Sequence, residues 1–232
     1  MQPIVYLIPS VLDEAAIETI PSYIINAVKS CAVIFAENER TARRFLKSIC
    51  KEIVIDDYEW HTIHKAEEEQ LNTFRQKIRE KKNIAIISEA GCPGIADPGQ
   101  ILIAAAQEMD AAVKPLVGPS SILLALMASG MNGQQFEFVG YLPIDHAERI
   151  KAITTLELAS LKKHSTQIFI ETPYRNNQLL ETLLKTCKPS TRLCLAAELT
   201  GPNEFIKTKI IAEWRKEKID LHKKPTIFLL QA

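Results

Sequence analysis

Net charge is what this sequence most conspicuously lacks: 28 Lys and Arg stand against 28 Asp and Glu in 232 residues. A balanced chain has no overall attraction to nucleic acid or to an anionic membrane, so any basic surface has to be local. Long apolar runs are also missing, and none approaches the roughly 18 residues needed to cross a bilayer. The first residues lack a charged segment leading into a cleavable apolar stretch, so a cytoplasmic location is expected. Cysteines number five, at 31, 50, 92, 187 and 194, with no C-x-x-C pair, which argues against a disulfide framework and a thiolate zinc site. The close pair His61 and His64 has no third ligand at a metal-like spacing, so no metal is expected. Neither G-x-G-x-x-G nor G-K-[ST] occurs, which removes the dinucleotide fingerprint and the P-loop.

The most informative stretch runs from Ile84 to Gly99. Ile84-Ala85-Ile86-Ile87 reads as a strand buried on both faces, and Ser88 opens a loop holding three glycines and two prolines before an Ala-rich helix. A strand-to-helix loop of about ten residues is longer than the usual two to six. Glu89 and Asp97 bring two carboxylates to it. In open α/β sheets ligands bind where loops leave the carboxyl ends of strands. The simpler alternative is that Gly91, Gly94 and Gly99 only supply turns and a helix start.

Strand-like and helix-like segments alternate before and after this stretch. Strands are expected at Ile4 to Ile8, Ala32 to Ala36, Ile53 to Ile55 and Ala112 to Val117, with helices from Pro21 to Lys29, Lys65 to Lys81 and Gly99 to Met109. Between the second and third strands, Arg40, Arg43, Arg44, Lys47 and Lys51 recur at three- and four-residue spacing. They form either a solvated helix face or a phosphate-binding surface. Gly118-Pro119-Ser120-Ser121 then leads into an apolar helix ending near Ser129, as a plain cap or as a place to hold polar ligand groups. Beyond Phe136, consecutive strands at Gln167 to Ile170, Leu193 to Ala197, Phe205 to Lys207 and Thr226 to Leu230 imply antiparallel pairs, with helices at Ala147 to Lys163, up to Thr186, and Ile210 to Lys218. The expected fold is therefore two α/β domains, 1–117 with a mostly parallel sheet and 118–232 with a mixed one.

Several segments, in this order, resemble the tetrapyrrole methylase superfamily across nearly the whole chain. They are Ala36-Glu37-Asn38-Glu39-Arg40-Thr41, Ser88 through Gly99, Gly118-Pro119-Ser120-Ser121, Phe138-Val139-Gly140-Tyr141-Leu142-Pro143, Glu171-Thr172-Pro173-Tyr174-Arg175 and Glu198-Leu199-Thr200. The resemblance is greatest to the branch that methylates ribose 2'-hydroxyls of small-subunit ribosomal RNA. It implies S-adenosylmethionine bound in a cleft between the two domains, a homodimer, and no metal or membrane. The positions matching the family's cofactor segments are Glu89, Ala90, Gly91, Cys92, Pro93, Ile95, Ser120, Ser121, Ile122, Glu171, Thr172, Ala197, Glu198, Leu199, Pro225 and Thr226.

Methyl transfer from a sulfonium asks mainly for alignment and, with a hydroxyl acceptor, for a base. Glu37 is the base that the resemblance implies, with Arg40 orienting it or an anionic substrate; a structural Glu37–Arg40 ion pair is the alternative. Relatives carry Asp-Ala-Gly-Thr-Pro where this chain has Glu89-Ala90-Gly91-Cys92-Pro93, and Glu-Asp-Thr-Arg in place of Glu37-Asn38-Glu39-Arg40. Tetrapyrrole C-methylation, or a cofactor-binding module that has lost turnover, are the competing functions.

Overall fold

The computed structural model describes residues 2–63 and 67–232, and the chain folds as two compact units, Met1–Ser120 and Ser121–Ala232. His64, and with it the histidine pair, lies outside the described residues.

The first unit is a run of strand–helix repeats: β1 (Ile4–Ile8), α1 (Ile24–Lys29), β2 (Val33–Ala36), α2 (Glu39–Ile49), β3 (Glu59–Thr62), α3 (Glu67–Arg79), β4 (Ile84–Ile87), α4 (Gln100–Glu108) and β5 (Ala112–Pro115). All five strands are parallel, in the order β3-β2-β4-β1-β5. All residues of β2 and β4 are buried, as they must be when helices cover both faces of a parallel sheet. One face meets Phe45 and Leu46 of α2 and Val28 of α1. The other meets Phe74 of α3 and Leu102 of α4. Each such side chain contributes about 1.5–3 kcal/mol of burial.

Two expectations for this half are corrected. The strand placed at Ile53 to Ile55 is a 3-10 turn at Ile55–Asp57, and the strand follows at Glu59–Thr62. This strand is an edge, paired to β2 alone, so it lacks the continuous apolar signature of its neighbours. The helix expected from Pro21 begins at Ile24, after i→i+3 bonds from Ile24 N to Pro21 O and from Ile25 N to Ser22 O.

The second unit contains α5 (Ser121–Ser129), β6 (Phe136–Tyr141), α6 (His146–Lys163), β7 (Thr166–Ile170), α7 (Asn176–Thr186), β8 (Arg192–Ala197), β9 (Phe205–Ile210), α8 (Ile211–Trp214) and β10 (Thr226–Gln231). Its sheet runs β6-β7-β10-β8-β9, with β6 parallel to β7 and the other pairs antiparallel. The sheet is therefore mixed, as expected. Phe169 and Phe228 stack at 5.9 Å in its core beside Trp214, whose indole N–H donates to Leu193 O (2.8 Å). The helix expected to reach Lys218 stops at Trp214, because register with β8 carries β9 to Ile210 and only Ile211 and Trp214 of the helix are buried.

Candidate functional site

In the first unit the chain leaves β1 toward β2 on one side of the sheet centre and leaves β4 toward β5 on the other. The two central neighbours, β1 and β4, thus flank a topological switch point, and the space outside their carboxyl ends is the expected ligand position in such a sheet. Three strand-end loops are tied together there. Ser10 N donates to Gly91 O (2.8 Å), Gly91 N donates to Ser10 O (3.1 Å), and the buried Ser10 hydroxyl donates to Ser88 O (2.8 Å). The loop after β5 closes on the same place. A Cβ on Gly118 would lie 2.2 Å from Pro9 Cβ, and one on Gly91 would lie 3.3 Å from Leu12 Cδ2 and 3.5 Å from Pro119 O. The Cys92 thiol donates to Pro119 O at 3.5 Å. Residues 89–95 and Ser120, read as cofactor-binding from the resemblance, are thereby placed side by side; Ile95 is half exposed at the loop's outer edge.

Behind this rim, an open cleft of about 300 Å³ is lined by Ser10, Val11, Leu12, Glu14, Thr41, Arg44, Phe45, Ser48, Glu89 and Ala90. It lies between α2 and the ends of β1 and β4. Asn38 starts α2, its Oδ1 accepting from Arg40 N (3.0 Å) and Thr41 N (3.4 Å), an N-cap that turns the chain sharply after β2. Glu37, between β2 and this cap, accepts at Oε2 from Glu89 N (2.9 Å), and Thr41 Oγ1 donates to Glu89 Oε1 (3.3 Å). A backbone N–H, not Arg40, therefore holds Glu37. Among the described residues Arg40 makes no ion pair, so the structural Glu37–Arg40 pair does not form. The rest of the basic stripe is largely engaged: Arg43 binds Glu39 (2.5 Å) and lies 5.0 Å from the Trp60 ring centre, and Arg44 binds Glu14 (2.6 Å). Lys51 lies beyond the end of α2, where its carbonyl accepts from Lys47 Nζ (3.0 Å).

Asp97 completes a group of three carboxylates with Glu37 and Glu89. Partial burial, reinforced by the charges of those two neighbours, pushes its pKa from 3.8 up to about 7. Its place in the Ser88–Gly99 loop was visible in the sequence, but its approach to Glu37 was not. The loop's far end is held by Glu67 of α3, whose Oε1 accepts from Gly99 N (3.1 Å), Ile101 N (2.8 Å) and Leu102 N (3.2 Å) at the start of α4. Among the described residues, no group of three or more His, Cys, Asp or Glu side chains could hold a metal ion.

In the second unit, β10 runs antiparallel to both β7 and β8, so its first residues lie at the carboxyl ends of those strands. Thr226 pairs with Ala197, Ile227 pairs with Ile170, and Glu198 N donates to Pro225 O (2.9 Å). Glu171, Thr172, Ala197, Glu198, Leu199, Pro225 and Thr226 are brought to one end of the sheet by this register. At the opposite end, Arg192 Nη2 donates to Gly130 O (3.1 Å), just past α5, the helix that Ser121 and Ile122 begin. Glu171 is buried. Its Oε1 accepts from Thr172 N and Arg175 Nη2, both 2.6 Å, while Oε2 has no partner. An unpaired buried acceptor is uncommon, and it leaves Oε2 able to take a donor from a water or a ligand.

The architecture of both units occurs together in the solved methyltransferase CobJ, at a TM-score of 0.66 and 16% identity over 100% of this chain and 94% of that one. The fold is thus one used by methyltransferases. The family described as Tetrapyrrole (Corrin/Porphyrin) Methylases matches residues 20–213, and the chain belongs to it. Among curated relatives, the ribosomal RNA small subunit methyltransferase I of Micromonospora olivasterospora is 33% identical over 178 residues, 77% of this chain and 54% of that protein. The protein of the same name from Vibrio cholerae is 29% identical over 98% of this chain and 76% of its own length. The chain thus spans between about half and three quarters of the length of these relatives.

Proposed function

We propose that the protein is an S-adenosylmethionine-dependent methyltransferase that methylates a ribose 2'-hydroxyl of small-subunit ribosomal RNA. The single observation that carries this reading is the placement of Glu37. Its carboxylate is held by the amide of Glu89, a residue that lines the cleft of about 300 Å³ at the strand ends. Family membership and the names of the relatives support the reaction class and the acceptor.

The residues present fit the cofactor. Gly91, at φ +69°, takes a left-handed backbone conformation that a side chain would strain, so the loop stays bare there, and the free Oε2 of Glu171 suits a hydroxyl or amine donor. In this reading Glu89, Ala90, Gly91, Cys92, Pro93, Ile95 and Ser120 of the first unit, and Ser121, Ile122, Glu171, Thr172, Ala197, Glu198, Leu199, Pro225 and Thr226 of the second, hold it. When bound, it supplies a methyl group already activated on sulfur. The chain's own work is alignment, worth on the order of 7–11 kcal/mol, and removal of the acceptor proton by Glu37, worth a further hundred- to ten-thousand-fold in rate. Arg40, which makes no ion pair among the described residues, meets a phosphate of the acceptor in this reading. A homodimer belongs to the same reading, supported by exposed apolar side chains such as Met127 and Leu123 on α5.

The test offers methyl-labelled S-adenosylmethionine with small ribosomal subunits and, separately, with porphyrinogens. Label in the RNA is expected. Label in the porphyrinogen would move the acceptor to tetrapyrroles, and tight cofactor binding without transfer to either would favour a binding module. Light scattering checks the dimer.

A further inference from the structure

Aromatic side chains of the second unit divide between two environments. Phe169, Trp214 and Phe228 are buried in its core, whereas Tyr141 and Tyr174 are 59% and 70% exposed. Both tyrosines stand at the carboxyl end of the sheet's parallel pair. A bulge in β6, with Gly140 at φ +71°, makes Phe138–Tyr141 span the same length as Ile168–Ile170, so Tyr141 comes to rest opposite the last residue of β7. Tyr174 follows in the turn that Arg175 N closes by donating to Thr172 O (2.9 Å). Glu171 first, and Tyr141 after it, push up the pKa of the Arg175 guanidinium, so the Tyr141 phenol borders the same turn.

The loop before β10 is fastened against this turn. Lys223 N donates to Pro173 O (3.0 Å), Asn176 Nδ2 donates to Lys224 O (2.6 Å), and Asn177 accepts from Leu221 N at Oδ1 and donates to Asp220 Oδ1, both at 2.7 Å. So clamped, the loop presents His222 and Lys223, both exposed. The His222 ring meets Tyr174 at 72° with centroids 6.0 Å apart, and Lys223 Nζ lies 6.0 Å from the Tyr174 ring centre. Lys223 holds φ +61°, a left-handed conformation that costs a lysine energy. The carboxylates nearby are committed: Glu171 to Arg175 (2.6 Å), Glu198 to Lys224 (3.6 Å), and Asp220 to Asn177 and to His222 N (2.9 Å). Lys223 makes no ion pair among the described residues. An exposed ring, braced at its side and next to an unpaired ammonium, matches a nucleotide: every base has a flat face to stack, and its phosphate needs a cation. Bases of a duplex already stack on one another, so an unpaired strand fits better.

We propose that Tyr174, Tyr141 and Lys223 form a docking surface for single-stranded RNA, the tyrosine rings stacking on unpaired bases and the Lys223 ammonium meeting a phosphate. The choice of RNA rests on the function proposed above. The surface lies at the same end of the sheet as Glu171, Thr172, Pro225 and Thr226, so a strand held on it runs beside residues assigned to the cofactor.

The test follows the fluorescence anisotropy of a labelled single-stranded oligoribonucleotide titrated with the full chain across a potassium chloride series, beside a duplex of the same sequence. Saturable binding that favours the single strand is expected. Tyr174→Ala should weaken it roughly five- to a hundredfold, the loss of one stacked base. Tyr141→Ala should act in the same sense, whereas Tyr174→Phe, which keeps the ring, should bind as wild type does. Lys223→Gly removes the ammonium and suits the left-handed backbone, so it should hold or raise Tm while flattening the slope of log affinity against log salt by about 0.7. The proposal is overturned by no saturable binding, by a duplex bound as tightly as the single strand, or by Tyr174→Phe losing as much as Tyr174→Ala. It is equally overturned if Tyr174→Ala and Lys223→Gly leave affinity and salt slope unchanged. Displacement of the oligonucleotide by polyglutamate, indifferent to Tyr174→Ala, would assign the surface to an acidic protein and overturn it too. Tyr174-dependent RNA binding by a protein that labels no RNA keeps this surface and removes the methyl-transfer reading. Labelled ribosomal subunits, with oligonucleotide binding indifferent to Tyr174, keep that reading and remove the surface.

Discussion

Replacing Asp97 with asparagine should stabilise the first unit, and only at higher pH. Asp97 titrates at about 7 because burial disfavours its charged form and Glu37 and Glu89 repel it. An acid whose folded pKa lies above its unfolded one contributes stability fully below the unfolded value, near pH 4, and loses that contribution as pH rises through the folded value. The whole displacement would correspond to about 4 kcal/mol. Asp97 is partly exposed, however, and solvent screening cuts this to roughly 1–2 kcal/mol. The asparagine side chain stays neutral throughout, and no hydrogen bond of the Asp97 carboxylate is lost among the described residues. The variant should therefore match wild type near pH 4 and gain roughly 1–2 kcal/mol by pH 8. Urea unfolding measures this, with Trp60 reporting the first unit in a Trp214→Phe background. An equal gain at pH 4 and pH 8, or a loss at pH 8, would refute the idea that the three carboxylates share one field.

Glu37→Gln should lower kcat by about a hundred- to ten-thousand-fold and leave calorimetric cofactor affinity near wild type; an unchanged kcat would remove Glu37 as the base. Gly118→Ala should cost about 1–3 kcal/mol by overpacking against Pro9, whereas Gly133→Ala, with open space around it, should be close to neutral, both by urea unfolding. Glu67→Gln, which weakens the charged acceptor shared by three amides at the start of α4, should cost about 1 kcal/mol. Hydrogen exchange at Ile101 and Leu102 should accelerate in that variant, and unchanged exchange would show that the cap is not needed.

Much of the fold is legible in the chain because parallel strands covered on both faces are short continuous apolar runs, as Val33–Ala36 and Ile84–Ile87 are. The signal fails where that cause is absent. Glu59–Thr62 is an edge strand with polar residues, and the helix-forming composition of Arg215 to Lys218 does not prolong the helix, which ends at Trp214. The candidate site divides the same way. Its Gly-Pro loop and Ser120-Ser121 announce themselves by residue type. The contact of Glu37 with an amide 52 residues away leaves no local trace, and neither do the pairing of Arg44 with Glu14 nor the approach of Asp97 to both glutamates.

The sequence by itself determined the order of strands and helices, the place of the long loop after β4, and membership of a methylase family, since these depend on patterns a few residues long. Only the tertiary structure decided that β1 and β4 lie together at the sheet centre, that a backbone amide and not Arg40 holds Glu37, and that Arg149 of α6 is buried with no ion pair among the described residues. Hydrophobic periodicity is settled by neighbours in the chain. The company a charged side chain keeps depends on which distant segments the packed sheets bring within about 3–4 Å of it.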